Sequence, residues 1–128
     1  MLPNLAFRSG PNTILPPMNP PKEVGLMRKF VSTARSVTTK QVALPLGILR
    51  LMQNLAWLEH YDIRPLLPEE LTTVKDYYGH IKELPLEQER NYWAPELLRT
   101  ADEKLERITT KYQDKLMLIL ARIVAKAA

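Results

Sequence analysis

Proline placement is the feature that most restricts the fold of this 128-residue chain. Six of its eleven prolines fall within the first 21 residues, where they would interrupt any helix or central strand. We therefore interpret residues 1–21 as an extended arm and residues 22–128 as one helical domain. The same prolines interrupt the apolar run that a secretory signal would need, which disfavours secretion. A domain of this size can fold but gains stability from contacts outside the chain.

Apolar residues recur at helical spacing in four segments after the arm. The first segment covers about residues 22–39, and the second covers about residues 44–61. A third helix is predicted to begin at Pro68 and to stop before Pro85. Residues 86–93 stay ambiguous between a short helix and a loop. The pattern predicts an all-α fold with about four helices, arranged as a loose bundle or a helical array.

The last helix is predicted to be the longest, running from Pro95 for about 32 residues, or roughly 48 Å. Residues 100–103 also fit a capping box, so the helix could start or kink there instead. Residues 116–121 are apolar on every side and need cover on more than one face. A self-contained bundle could cover these residues. Alternatively, the end of the last helix could overhang the bundle and dock on a partner protein. Under docking, the side chains expected to face the partner are Leu116, Leu118, Ile119, Leu120 and Ile123.

The net charge of +4 is distributed unevenly along the chain. Residues 1–50 carry seven basic side chains and one acidic side chain, a net charge of +6. The remaining residues carry eleven basic and thirteen acidic side chains, a net charge of −2. A basic half of this kind attracts phosphate groups, anionic lipid headgroups or acidic protein surfaces. The cations expected to make these contacts are Arg8, Arg28, Lys29, Arg35 and Lys40.

No arrangement of residues in the sequence predicts an active site. The chain has no cysteine, and His60 and His80 belong to no zinc-binding motif. Glu87 and Glu89 are too close along the chain to flank a scissile bond together. The four glycines form neither a phosphate-binding loop nor a dinucleotide fingerprint. We therefore expect no catalytic residue, no cofactor and no metal ion.

Four aromatic residues, Tyr77, Tyr78, Tyr92 and Trp93, are candidates for stacking on nucleic-acid bases. Single-strand binding also requires cations around the aromatic faces, and the nearby charges are mostly acidic. We therefore prefer to interpret these residues as core or interface anchors.

Residues 42–58 are largely apolar, so a membrane span has to be considered. About 17 residues is the short limit for a span. The segment also contains Arg50, Gln53 and Asn54, which are costly in a bilayer. A helix of the soluble bundle is the preferred interpretation.

Residues 25–40 are amphipathic, rich in arginine and hydroxyl side chains, and free of acidic residues. In these respects the segment is similar to a mitochondrial targeting helix, although a structural helix with a solvated basic face has the same composition. Our leading hypothesis is a non-catalytic accessory subunit of a mitochondrial inner-membrane complex, such as a respiratory complex or ATP synthase. Its partners would be other protein subunits, over which the arm lies, and cardiolipin-like anionic lipid.

Two alternatives remain open at this point. The first is a mitochondrial ribosomal protein whose basic half contacts ribosomal RNA through its phosphate groups. The second is a lone amphipathic protein that binds anionic membranes. Both use the same basic half of the chain and therefore cannot be separated by composition.

Overall fold

Four helices account for most of residues 22–127, the part of the chain that our computed structural model describes. They are α1 (Lys22–Thr38), α2 (Leu44–His60), α3 (Pro68–Ile81) and α4 (Pro95–Ala127). A short 3-10 helix, Gln88–Tyr92, lies between α3 and α4. The predicted all-α fold with a long last helix is confirmed, and the described residues contain no strand. The arm predicted for residues 1–21 lies outside the described residues.

Proline marks the start of three of these helices. Pro45 is the second residue of α2, and Pro68 and Pro95 are the first residues of α3 and α4. Proline is tolerated there because its missing N–H would have no partner inside the helix. The alternative start of α4 at Thr100 is wrong, because the Thr100 hydroxyl donates back to the carbonyl of Glu96 within a continuous helix.

The first two helices end in left-handed residues that are not glycine. Lys40 follows α1 with φ 65°, and Asp62 follows α2 with φ 59°. After α2, the N–H of Ile63 donates to the carbonyl of Leu58, and the N–H of Asp62 donates to that of Glu59, each at 2.9 Å. This pair of bonds is a Schellman motif, and an equivalent pair closes α1. The chain can therefore reverse direction within short connections.

The helices form an antiparallel four-helix bundle in which each helix packs against the next and α1 packs against α4. The start of α1 meets the end of α4, and the end of α1 lies beside the middle of α4. The core consists of apolar side chains from all four helices: Phe30, Ala34, Val37, Leu44, Ile48, Leu51, Leu55, Leu58, Val74, Tyr77, Ile81, Leu116, Ile119, Leu120 and Ile123. Burial of one such large side chain contributes about 1.5–3 kcal/mol.

Polar contacts fix the antiparallel register between α3 and α4. In order along α3, the pairs are Glu70 with Arg122, Asp76 with Tyr112, and Tyr77 with Thr109. Beyond α3, Arg90 of the 3-10 helix donates to both carboxylate oxygens of Asp102, at 2.8 and 3.0 Å. The connection between α3 and α4 therefore continues in the direction of α3, beside the first part of α4.

The end of α4 that extends beyond its neighbours is not the expected one. The structure places four of the five residues predicted to face a partner inside the core of this chain: Leu116, Ile119, Leu120 and Ile123. They are covered because α1 runs antiparallel to α4 and closes the face that α2 and α3 leave open. Of that set, Leu118 alone stays at the surface, with 73% of the residue exposed. The part of α4 that extends past the other helices is its N-terminal end, and the connection that carries Arg90 lies beside it.

Helices α1 and α2 approach each other closely at Gly47, which is buried. A Cβ atom at this position would clash with Cγ2 of the buried Val37 side chain. We expect Gly47→Ala to lower the free energy of unfolding by about 1–2 kcal/mol, because an overpacking cost of roughly 1–3 kcal/mol outweighs the higher helix propensity of alanine.

The matched control for this prediction is Gly79→Ala in α3, where an added Cβ would meet nothing within 4 Å. This variant should be stabilised by about 0.5–1 kcal/mol. Denaturant unfolding of both variants measures the difference. Equal stabilisation of the two would contradict the close packing of α1 on α2.

Candidate interaction surfaces

Three exposed apolar residues lie near one another along the chain where the 3-10 helix ends and α4 begins. We call them the aromatic patch, and they are Tyr92, Trp93 and Leu97. Tyr92 is 90% exposed and Leu97 is 59% exposed. Large apolar side chains that lie together at a surface mark a contact site more often than scattered ones do. The patch occupies the projecting N-terminal end of α4.

The segment that carries the aromatic patch is held in place by charged groups. The two hydrogen bonds from Arg90 to Asp102 lower the pKa of the Asp102 carboxyl. The carboxylate of Glu89 accepts hydrogen bonds from the backbone N–H groups of Leu86 and Glu87, and these bonds lower its pKa. Glu89 thus stabilises the turn that precedes the patch.

The four aromatic residues considered for base stacking are not brought together. Tyr77 is fully buried, with its hydroxyl 2.6 Å from the Thr109 hydroxyl, and Tyr78 is half-buried in α3. Tyr92 and Trp93 belong to the aromatic patch instead. Tyr77 is therefore part of the core. Among these four residues, only Tyr92 and Trp93 are exposed.

A second surface is an open groove of about 600 Å³ at the opposite end of α4. It lies between α1, the loop that follows α2, and the last turn of α4. We call it the α1 groove, and its lining residues are Glu23, Val24, Met27, Arg28, Val31, Arg35, Ile63 and Ala127. The floor is apolar, and the charged side chains belong to α1.

A smaller groove of about 190 Å³ adjoins the α1 groove. The two share Met27, Val31 and Ala127, so these residues lie where the two grooves adjoin. The remaining lining residues of the smaller groove are Pro65, Arg122, Ile123 and Lys126. The end of the bundle thus presents a forked apolar depression bordered by basic side chains.

The cations predicted from the sequence lie at different places on the surface. Arg28, Lys29, Arg35 and Lys40 are all exposed, but only Arg28 and Arg35 line the α1 groove. Lys29 lies outside it, and Lys40 borders a separate depression near the start of α2. Arg8 lies outside the described residues. Two of the predicted cations, Arg28 and Arg35, therefore line the same groove.

Neither Arg28 nor Arg35 forms an ion pair within residues 22–127. Arg122, by contrast, is engaged by Glu70, with its Nη2 2.5 Å from Oε1 of the carboxylate. Burial alone would raise the pKa of Glu70, but hydrogen bonds from Arg122 and from the N–H of Leu67 outweigh it and lower that pKa. Arg28 and Arg35 are thus the arginines of the depression that remain open to an external anion.

The floor of the α1 groove was missed by sequence reasoning. Val24, Met27 and Val31 share the helical period of the buried residues Phe30, Ala34 and Val37, so periodicity does not separate the two sets. In the structure Val24 is exposed, and Met27 and Val31 are half-buried. The sequence does carry one signal for this groove, namely the wide apolar face of α1. In the structure, α2 and α4 cover only part of that face.

The candidate catalytic groups occupy separate, mostly exposed positions. His80 lies 3.9 Å from the carboxylate of Asp76, while the ring of His60 contacts those of Trp57 and Tyr61 edge-on. Within residues 22–127, no group of three or more histidine, cysteine, aspartate or glutamate side chains is placed to hold a metal ion. No helix in this part of the chain combines the length and hydropathy that a membrane span requires.

Comparisons with protein-family models, with curated proteins and with solved structures find no match to this chain.

Proposed function

We propose that this chain is a non-catalytic accessory subunit of a mitochondrial inner-membrane complex, such as a respiratory complex or ATP synthase. The observation that carries the proposal is the aromatic patch on the projecting end of α4. Exposed tyrosine and tryptophan side chains are enriched among residues that anchor protein interfaces. In this role the patch is buried against a neighbouring subunit, and the bundle supplies a rigid support for it.

The mitochondrial part of the proposal rests on the resemblance of residues 25–40 to a targeting helix. Because the apolar side of α1 packs in the folded core, any targeting role would have to precede folding.

The proposal is tested by purifying the tagged full-length chain from mitochondria solubilised in a mild detergent. We expect it to elute far above its monomeric mass and to co-purify with hydrophobic subunits in fixed ratio. Elution as a monomer would contradict the proposal. Release of the chain by RNase would contradict it as well and would favour the ribosomal alternative.

Matched variants test the aromatic patch within the same experiment. The pair Tyr92→Gln and Leu97→Gln should reduce co-purification about tenfold, because loss of even one interface anchor typically costs that much affinity. The control pair Glu96→Gln and Arg99→Gln alters exposed residues of the same helical turns without changing the net charge. Equal recovery of partners by both pairs would show that the patch is not the contact.

A further inference from the structure

We propose that the α1 groove is a binding site for an anionic phospholipid. The lipid phosphate lies between Arg28 and Arg35, and the acyl chains follow the two grooves that adjoin at Met27 and Val31. The inference relies on the proposed membrane complex as the source of lipid. The site itself belongs to the isolated chain and can be tested without the complex.

Charge supports this assignment. Arg28 and Arg35 are seven residues apart on α1, which places them on the same face and about 10 Å apart along the axis. Both are exposed, and neither has a carboxylate partner within residues 22–127. Guanidinium groups bind phosphate oxygens through paired hydrogen bonds. Among residues 22–127, Glu23 at the start of α1 is the only acidic residue that lines the groove.

The shape and lining of the depression agree with a lipid that has two chains. The larger groove measures about 600 Å³ and the smaller one about 190 Å³, and they adjoin at Met27, Val31 and Ala127. The uncharged lining residues of both grooves are apolar. Lys126, in the smaller groove, adds a further positive charge to the border.

An acidic amphipathic helix of a partner protein is the main competing occupant. Such a helix presents one convex ridge of side chains to a groove. The depression consists of two adjoining grooves, so the single ridge of a docked helix would fill only one of them. Two separate acyl chains can occupy both grooves, so the geometry favours the lipid, and the peptide becomes an outcome of the test.

The test measures binding of the purified full-length chain to vesicles of phosphatidylcholine, with or without phosphatidylglycerol. We expect binding to the mixed vesicles only. The pair Arg28→Gln and Arg35→Gln should weaken that binding roughly thirtyfold, since each cation near an anionic surface contributes about a fivefold effect. Glu23→Gln should strengthen it. Thermal melting of each variant verifies that the bundle is intact.

The charge-matched control is the pair Arg99→Gln and Arg107→Gln on α4. Both residues are exposed, and they lie about 42 and 30 Å along the helix from Ala127, well beyond the Debye length of roughly 10 Å. Vesicle binding by this pair should stay within about twofold of that of the unmodified chain. If the two arginine pairs lost vesicle binding to the same extent, net charge alone would explain the interaction, and the proposed site would be overturned.

A third variant separates the acyl chain from the headgroup. Val31→Thr keeps the side-chain volume and the net charge but places a hydroxyl where the two grooves adjoin. It should weaken vesicle binding severalfold without changing its dependence on salt. Displacement of the chain from vesicles by millimolar inorganic phosphate would overturn the acyl part of the proposal. Tighter binding of a soluble acidic helical peptide than of the lipid would overturn the assignment to lipid.

Discussion

Replacing Phe30 with alanine is expected to lower the free energy of unfolding by about 3–5 kcal/mol. Phe30 lies in the middle of α1 and is 0% exposed, in contact with the core that all four helices build. Loss of its ring removes apolar burial and leaves a cavity that the neighbouring helices fill only in part. Because a domain of this size has about 5–15 kcal/mol of total stability, much of the population would unfold at elevated temperature.

This variant decides whether α1 is an integral helix of the domain or a detachable basic segment. Denaturant unfolding, followed by far-ultraviolet circular dichroism, gives the free energy for the variant and the unmodified chain. The matched control is Leu118→Ala, at an exposed position, which should change stability by less than about 0.5 kcal/mol. A Phe30→Ala change as small as that of the control would mean that α1 is not packed in the bundle.

The helix starts were predictable because their signals are local. A proline at Pro45, Pro68 or Pro95 restricts the backbone of its own residue and of the one before it, whatever the rest of the chain does. The ends of α1 and α2 were predicted to within one residue, but the motif that closes these helices was not predicted. Lys40 and Asp62 adopt the left-handed conformation that is usually assigned to glycine, so residue type gave no marker for the motif.

The assignment of apolar faces could not be completed from the sequence. Periodicity identifies an apolar stripe but does not say how much of its width a neighbouring helix covers. On α1 the inner part, with Phe30 and Ala34, is buried, whereas Val24 remains exposed. On α4 the outcome is the reverse: Leu120 was expected at a surface that faces a partner, and it lies in the core of this chain. Both outcomes depend on the antiparallel packing of α1 against α4.

The ion pair between Glu70 and Arg122 gave no signal in the sequence at all. The two residues are 52 positions apart, and each has an ordinary local explanation, Glu70 as a first-turn acid and Arg122 as an interruption of an apolar run. Only the register of α3 against α4 brings them together. The pair matters because Glu70 is the one charged residue of residues 22–127 that is classed as buried.

Replacing Arg122 with methionine is expected to lower the free energy of unfolding at neutral pH by about 2–3 kcal/mol. Removing one partner of a fully buried ion pair costs roughly 3–5 kcal/mol, because the other charge stays buried without compensation. The cost is smaller here because Arg122 is partly exposed to water. Denaturant unfolding at neutral pH measures it, and Glu69→Gln, an exposed neighbour of Glu70, serves as the control with little expected change.

The pH dependence distinguishes loss of the ion pair from loss of packing. In the folded chain the pKa of Glu70 lies below its ordinary value of 4.5, because burial, which raises it, is outweighed by the hydrogen bonds from Arg122 and from the N–H of Leu67 together with the charge of Arg122. The stabilisation from Glu70 is therefore complete above that value and is lost as the pH falls through the lowered pKa. In Arg122→Met the pKa of Glu70 rises, since the hydrogen bonds and the charge of Arg122 that lower it are lost, so protonation then relieves part of the destabilisation. The stability difference between the two proteins should be largest at neutral pH and should shrink below about pH 4. A difference that stays constant from pH 7 to pH 3 would assign the whole effect of Arg122 to packing.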